Sequence, residues 1–392
     1  MNKLKSSEMQ NKHRYVASLD AHKRTYFMKL IDVLTNKVIF NSGIIGSIVE
    51  VISLLDSFKL AKKDVVVLYE AGCVGFDPYF RLTKAGYTCL IIAPSSIPYN
   101  NRLHKTDKQD CGNNLGYYLS GILRFVTVPD QETLQIRELN RYRETLVNEI
   151  RRKQQQINAF TLRNGYIFTE TKSEWTMKHR KWLKSLNLSP ILQGALSLML
   201  SDLEHEELNL EKVDKELELH VKQNTSLNVT TKALQLFPGI GKVVANGLAL
   251  EGGNFGRFSK ASQVPQFVGL VPAKQQTGNS DPALSITKEG NGLIRRMLVS
   301  ASKYYGNHRY LYSEKELAKL PPGISPFVKK MQDRLYSRYR YLKNRGKHTN
   351  KVRCAIAREL SIFIWDYLLN IVPKHHDLFT TNDKLAITKK AA

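Results

Sequence analysis

Along the first 130 residues the apolar positions fall into short blocks that alternate between two periods. Tyr15–Leu19 is a brief apolar run ending at Asp20, Thr25–Val33 is a second strand candidate, and Val38–Asn41 a third, reached through the turn-like Thr35-Asn36. From Ile44 to Phe58, the residues Ile44, Ile45, Ile48, Val51, Ile52, Leu55 and Phe58 keep helical spacing. Asp64–Tyr69 (DVVVLY) is a continuous β-branched run of the kind found in strands covered on both faces. A helix over 75–85 and another buried strand over 88–93, stopped by Pro94, follow. Three strands, then helix, strand, helix and strand, predict a mixed sheet with helices on its faces, an α/β unit.

Beyond residue 130 the period becomes helical. Residues 131–162 read as a long charged helix with Leu139, Tyr142, Leu146, Ile150 and Ile157 on one stripe. Trp175–Leu186 is a short basic-aromatic patch, and 190–221 is helical again, with Leu196, Leu203, Leu210 and Leu217 seven apart. That heptad leaves two outcomes open: a coiled coil between copies, or a helix hairpin within the chain. The last third contains Gly/Pro loops around 252–290 and ends in a helical, basic segment. The tail from Lys374 reads as frayed and polar.

Composition sharpens the picture at one point. The 392 residues carry 59 Lys+Arg against 35 Asp+Glu, a net charge of +24 that calls for a polyanionic partner, nucleic acid before membrane. The excess is concentrated: residues 329–358 hold eleven Lys/Arg and the single acid Asp333, with Tyr336, Tyr339 and Tyr341 interleaved. Arg and Lys neutralise phosphates and aromatic rings stack on bases. Arg338, Arg340, Lys343 and Arg345 in this segment are therefore nucleic-acid candidates, together with Lys288, Arg295 and Arg296. The Gly-rich turn Phe237–Lys242, with Gly239, Gly241 and Lys242, can offer backbone N–H groups to a phosphate at a helix start. No apolar run reaches the ~18 residues of a membrane span, and the polar first thirteen residues lack a signal peptide's apolar stretch. Four cysteines without paired spacing indicate neither a zinc site nor a disulfide framework; buried or idle thiols of a reducing cytoplasm are expected.

Four carboxylates stand out by position. Asp20 ends the first strand and Glu70 follows DVVVLY, while Asp107 and Asp110 are spaced i, i+3, which puts both on one face of a helix. Strand-end carboxylates plus two from a helix can converge on one point, a donor set suited to Mg²⁺ or Mn²⁺. Such ions would polarise a scissile phosphate.

At these residues the chain resembles a known family. "SLDAHK" (Ser18–Lys23), "YEAG" (Tyr69–Gly72) and "KTDKQD" (Lys105–Asp110) are similar to motifs of the DEDD-type transposases of bacterial insertion sequences, the insertion-sequence one-ten family, related to the Piv invertase. "FPGIGKVVA", "FSKASQVPQFVGLVP" (Phe258–Pro272) and "ITKEGNGLIRRML" (Ile286–Leu298) carry a second, C-terminal likeness. The resemblance implies a ribonuclease-H-like (RuvC-like) catalytic domain over 14–130, with Asp20, Glu70, Asp107 and Asp110 as the metal-binding tetrad. A helical, coiled-coil region over 131–228, a mostly α transposase domain over 229–372 and a polar tail over 373–392 would follow. It also implies a bacterial, cytoplasmic recombinase, nucleoid-associated when active. The protein would act on duplex DNA as a dimer or tetramer, with a structured bridge RNA as guide.

The family's nucleophile is a Ser directly before a Gly, after "GLVP". Here Thr277 occupies that position, in Ala273-Lys274-Gln275-Gln276-Thr277-Gly278-Asn279-Ser280. Three readings follow, in order: Thr277 is the nucleophile, Ser280 takes over after a local shift, or the copy is an inactive nucleic-acid-binding relative. A RuvC-like nuclease that uses water is the enzyme alternative.

Overall fold

The computed structural model describes residues 13–98, 106–273 and 285–381. The chain divides into two compact units, residues 1–128 and 129–392.

In the first unit five strands form one sheet in the order β3-β2-β1-β4-β5. They are β1 (Tyr15–Ala21), β2 (Thr25–Asp32), β3 (Lys37–Ile45), β4 (Val65–Glu70) and β5 (Thr88–Ile92). β1, β2 and β3 run antiparallel, whereas β4 lies parallel to β1 and β5 parallel to β4. This is the mixed sheet expected from the sequence, and it accords with a ribonuclease-H-like domain. Period-two alternation sorts the central strands into two faces. Ala17, Leu19, Val65, Val67 and Tyr69 share one core with Val51 and Leu55 of α1 (Ile48–Ser57) and Leu82 of α2 (Asp77–Lys84). Val16, Val66 and Leu68 face the other way, onto Leu115 and Tyr118 of α3 (Asp107–Leu119).

One boundary differs from the pattern of apolar residues. Ile44 and Ile45 belong to β3, paired with Tyr26 and Thr25, and the helix begins only at Ile48. A capping box decides this: the Ser47 side chain accepts from the helix backbone while Glu50 reaches back to the Ser47 N–H at 2.6 Å.

The second unit is helical. Two long helices, α4 (Gln131–Arg163) and the later α6 (Pro190–Gln223), pack against each other, with α5 (Met177–Ser185) between them in sequence. Leu196, Leu203 and Leu217 of the heptad are buried, the first two in one core with Ile150 and Ile157, the third with Ile136. The leucine stripe is thus covered within the chain, as a helix hairpin. Tyr142, expected on the apolar stripe of α4, is half exposed; Arg143 takes the inner position and its Nε donates to Asp214 Oδ1 at 2.6 Å. The remaining core gathers α7 (Thr225–Leu234), α8 (Lys242–Gly252), α9 (Gln263–Phe267), α10 (Gly292–Ser302), α11 (Glu314–Leu317), α12 (Ser325–Asn344) and α13 (Thr349–Asp366). The tail is not frayed throughout: α14 (His376–Thr381) seats Phe379 fully inside this core. Among the described residues, no helix is long and apolar enough to cross a membrane.

Candidate active site

Parallel pairing of β1 with β4 positions the first two carboxylates. The register sets Ser18 opposite Leu68 and Leu19 opposite Tyr69, so Asp20 and Glu70 follow as neighbours at the carboxyl ends of adjacent strands. Both fall on the face that α3 covers, by alternation from Val16 and Val66. The helix buries Cys111, Asn114, Leu115 and Tyr118, a stripe whose N-terminal extension is Asp107 and Asp110. Thr106 caps it, its side chain accepting from Gln109 N. Both acids lie in the first turn, where the helix dipole favours negative charge.

Among the described residues, the group whose ligand atoms converge is Asp20, His22 and Asp107, all within 4.8 Å of one another. His22 Nε2 stands 3.6 Å from Asp20 Oδ1 and 3.7 Å from Asp107 Oδ2. Octahedral ligands ~2.1 Å from an ion stand about 3 Å apart, so these separations are close to those of a coordination shell. The group thus brings together two of the four expected acids and adds an imidazole. Glu70 and Asp110 border it on the same face of the sheet without entering it. His22 stands outside the pattern of carboxylates. Its signal was there: it lies two residues after Asp20, where strand alternation repeats a face. The β1–β2 turn then holds it, with His22 N donating to Thr25 O at 3.0 Å.

Thr277 and Ser280 lie outside the described residues. The stem that carries their segment is well defined. Ala273 N donates to Ser285 O and Thr287 N to Val271 O, each at 2.9 Å. At the base two glycines meet backbone: a Cβ on Gly269 (φ +67°) would stand 2.2 Å from Glu289 O, and one on Gly290 (φ +76°) 2.0 Å from Phe267 O. Only glycine allows that approach at those angles. Arg295 ties both sides, donating from Nη1 to Val268 O at 2.9 Å and to Glu289 O at 3.3 Å.

Comparison with known proteins identifies the family. The profile of a DEDD transposase family matches residues 17–164, and that of the transposase IS116/IS110/IS902 family matches 231–313. The protein y4qE of Sinorhizobium fredii, named as a transposase, is 34% identical over 309 residues, 77% of this chain and 74% of that one. The chain belongs to the IS110/IS116 family of DEDD transposases. Similar relatives include the transposases for insertion sequence elements IS1533 of Leptospira borgpetersenii and IS1111A of Coxiella burnetii. The first is 25% identical over 264 residues (65% of this chain, 75% of the relative), the second 26% over 250 (62% and 66%). The protein is an insertion-sequence transposase, a DNA-binding enzyme of transposition from a family that uses divalent metal ions.

The basic residues expected to meet nucleic acid differ in exposure and pairing. Arg340, Lys343 and Arg345 on and just after α12 are exposed, although Lys343 donates to Thr349 Oγ1 at 3.0 Å and Arg345 to Tyr341 Oη at 2.9 Å. Arg338 lies 3.4 Å from Glu359, Arg296 pairs with Glu144, and Lys242 with Glu218. Gly239 packs against Tyr304, Gly241 precedes α8, and Lys288 is exposed with φ +58°.

Beside the acidic group, burial pushes the Cys111 thiol up to about 12, against a hydrogen bond with Ser18 that lowers it; its Sγ donates to Phe27 O at 3.4 Å. Burial also pushes Cys89 up to about 12, whereas Cys73 is exposed. At pH 8 only about 10⁻⁴ of such raised thiols would be thiolate. Brief alkylation of the native transposase, read by peptide mass spectrometry, is expected to label Cys73 and spare Cys89 and Cys111 until denaturant is added. Early labelling of Cys111 would contradict the packing of α3 on the sheet.

Proposed function

We propose that this transposase cuts and rejoins DNA strands at the ends of its element in a divalent-metal-dependent reaction. The observation that carries the reading is the convergence of Asp20, His22 and Asp107 at the end of the sheet. Those three would hold an ion, with Glu70 and Asp110 completing the acidic rim. Two carboxylates and an imidazole suit Mg²⁺ or Mn²⁺, and the nitrogen donor favours Mn²⁺. When bound, the ion neutralises the scissile phosphate and stabilises the charge that develops on it.

The hydroxyl of Thr277, with Ser280 as second candidate, attacks phosphorus. An Oγ–P bond forms, the bond from phosphorus to the leaving strand's oxygen breaks, and that oxygen takes up the hydroxyl proton. The nucleophile comes from the C-terminal part of another subunit, so the active species is a dimer or tetramer. A structured guide RNA selects the target DNA, and the exposed basic residues around α12 hold phosphates. The reaction takes place in the bacterial cytoplasm, at the nucleoid.

The test is a trapping assay on a denaturing gel, with labelled element-junction DNA, flanking element RNA and Mn²⁺ or Mg²⁺. A covalent adduct lost only in Thr277→Ala is the expected result; loss only in Ser280→Ala moves the nucleophile three residues along. Cleavage without an adduct would replace this reading with a water-using nuclease.

A further inference from the structure

In the second unit Arg137 and Arg257 both approach Gly253, and neither forms a salt bridge with a described carboxylate, although Glu251, Glu138 and Asp130 act on Arg137 from a distance. Arg257 follows α8 in the turn Phe255–Arg257. Its guanidinium carbon lies over two aromatic rings, 4.4 Å from the Phe267 centroid and 4.6 Å from that of Phe258. Its Nη2 is buried and donates to no partner among the described residues. Arg137 on α4 is 7% exposed and reaches the same place, its Nε donating to Leu250 O at 2.9 Å. Between them lies Gly253, whose missing side chain leaves a cradle. A Cβ there would stand 3.4 Å from Arg257 Nη1 and 4.0 Å from Arg137 Nη2.

Two guanidinium groups directed at one small space make a fork for a tetrahedral oxyanion. The nearest acid, Glu251, is engaged elsewhere: Arg141 Nε donates to Oε1 at 2.8 Å and Asn291 Nδ2 to Oε2 at 2.7 Å. Glu138 pairs with Arg141, and Asp130 caps α4 at Thr133. Burial and then the charge of Arg137 lower Arg257 to about 10. A buried charge in this position calls for an anion.

We infer that Arg137 and Arg257 form a phosphate-binding site at Gly253, and that the phosphate it takes is a phosphodiester of a bound nucleic-acid strand. The oxyanion chemistry stands on the geometry alone; the source of the phosphate rests on the DNA-binding reading. Contact with the Phe267 and Phe258 rings restrains the Arg257 side chain before the anion arrives, so little side-chain freedom is lost on binding.

Two measurements on the full chain test this. In thermal melting at matched ionic strength, ~10 mM inorganic phosphate in place of chloride is expected to raise Tm by about 2 °C or more. Arg257→Gln should abolish the rise, while Arg257→Lys, which keeps the charge and loses the fork, should retain less than half of it. Circular dichroism of both variants establishes that they fold. Second, the dependence of log K on log salt for a ~30-base-pair duplex should lose about one unit of slope in Arg257→Gln. A phosphate response with an unchanged slope would move the source to free phosphate and overturn the phosphodiester assignment. No phosphate-specific rise in the wild type, with an unchanged slope, would overturn the site. Should the wild type bind no duplex, the DNA reading fails by itself and the melting arm still decides the oxyanion site.

Discussion

Replacing Asp107 by Asn is expected to reduce adduct formation and strand joining by ~10³-fold or more, a loss of about 4 kcal/mol in transition-state stabilisation. Asp107 and Asp20 are the two carboxylates whose oxygens converge with His22 Nε2, so each loss removes a charged donor from the group. Asp20→Asn should match it. The Asp107 side chain is 55% exposed and Thr106 caps its helix, so unfolding curves should shift by less than ~0.5 kcal/mol. Comparing the two variants under saturating Mn²⁺ separates weakened binding from lost chemistry. Retention of a tenth of wild-type strand joining in Asp107→Asn would sink the proposed metal site.

Gly269→Ala should be, with Gly290→Ala, among the most damaging single methyl groups in the second unit. The added Cβ would meet Glu289 O at 2.2 Å and Glu289 N at 2.7 Å, both backbone atoms that no rotamer change can move. Left-handed backbone at φ +67° adds its own penalty, and the two effects together come to ~3 kcal/mol or more. Gly346→Ala is the control: its φ is +69°, yet nothing lies within 4 Å of the added methyl. It should lose only about 1–2 kcal/mol, the conformational part alone. Urea denaturation of both variants measures the difference, and equal losses would mean that the stem does not close as described. If Gly269→Ala folds, its covalent adduct should fall with its stability, because the same stem carries the segment with Thr277.

The sheet was legible because its signals are local. DVVVLY has no apolar-polar alternation to confuse, and the strand-end acids were visible one residue beyond each apolar run. The boundary at Ile44 was not, because Ile44 and Ile45 satisfy helical spacing and strand pairing equally; the Ser47–Glu50 capping interaction decides between them. Tyr142 misled for a related reason. Apolar identity marked the stripe, but a salt bridge to Asp214 turns the neighbouring Arg143 inward instead. The leucine heptad named a seam without naming its partner, since an antiparallel neighbour in the same chain and a second copy present the same face. In the site, the carboxylates are marked by their charge, whereas His22 is marked only by strand parity with Asp20. The arginine pair at Gly253 could not be read at all: residues 137 and 257 meet only through the fold.

The order in which the converging group is assembled follows from its topology. β1, β2 and β3 are joined by short turns and can pair as soon as they emerge from the ribosome. The third member of the group stands 87 positions further on (107 − 20), behind two parallel strands that close slowly over long loops. A nascent chain that stops short of α3 therefore has Asp20 and His22 in place and no Asp107 to complete them. The converging group is complete only with the last helix of the unit.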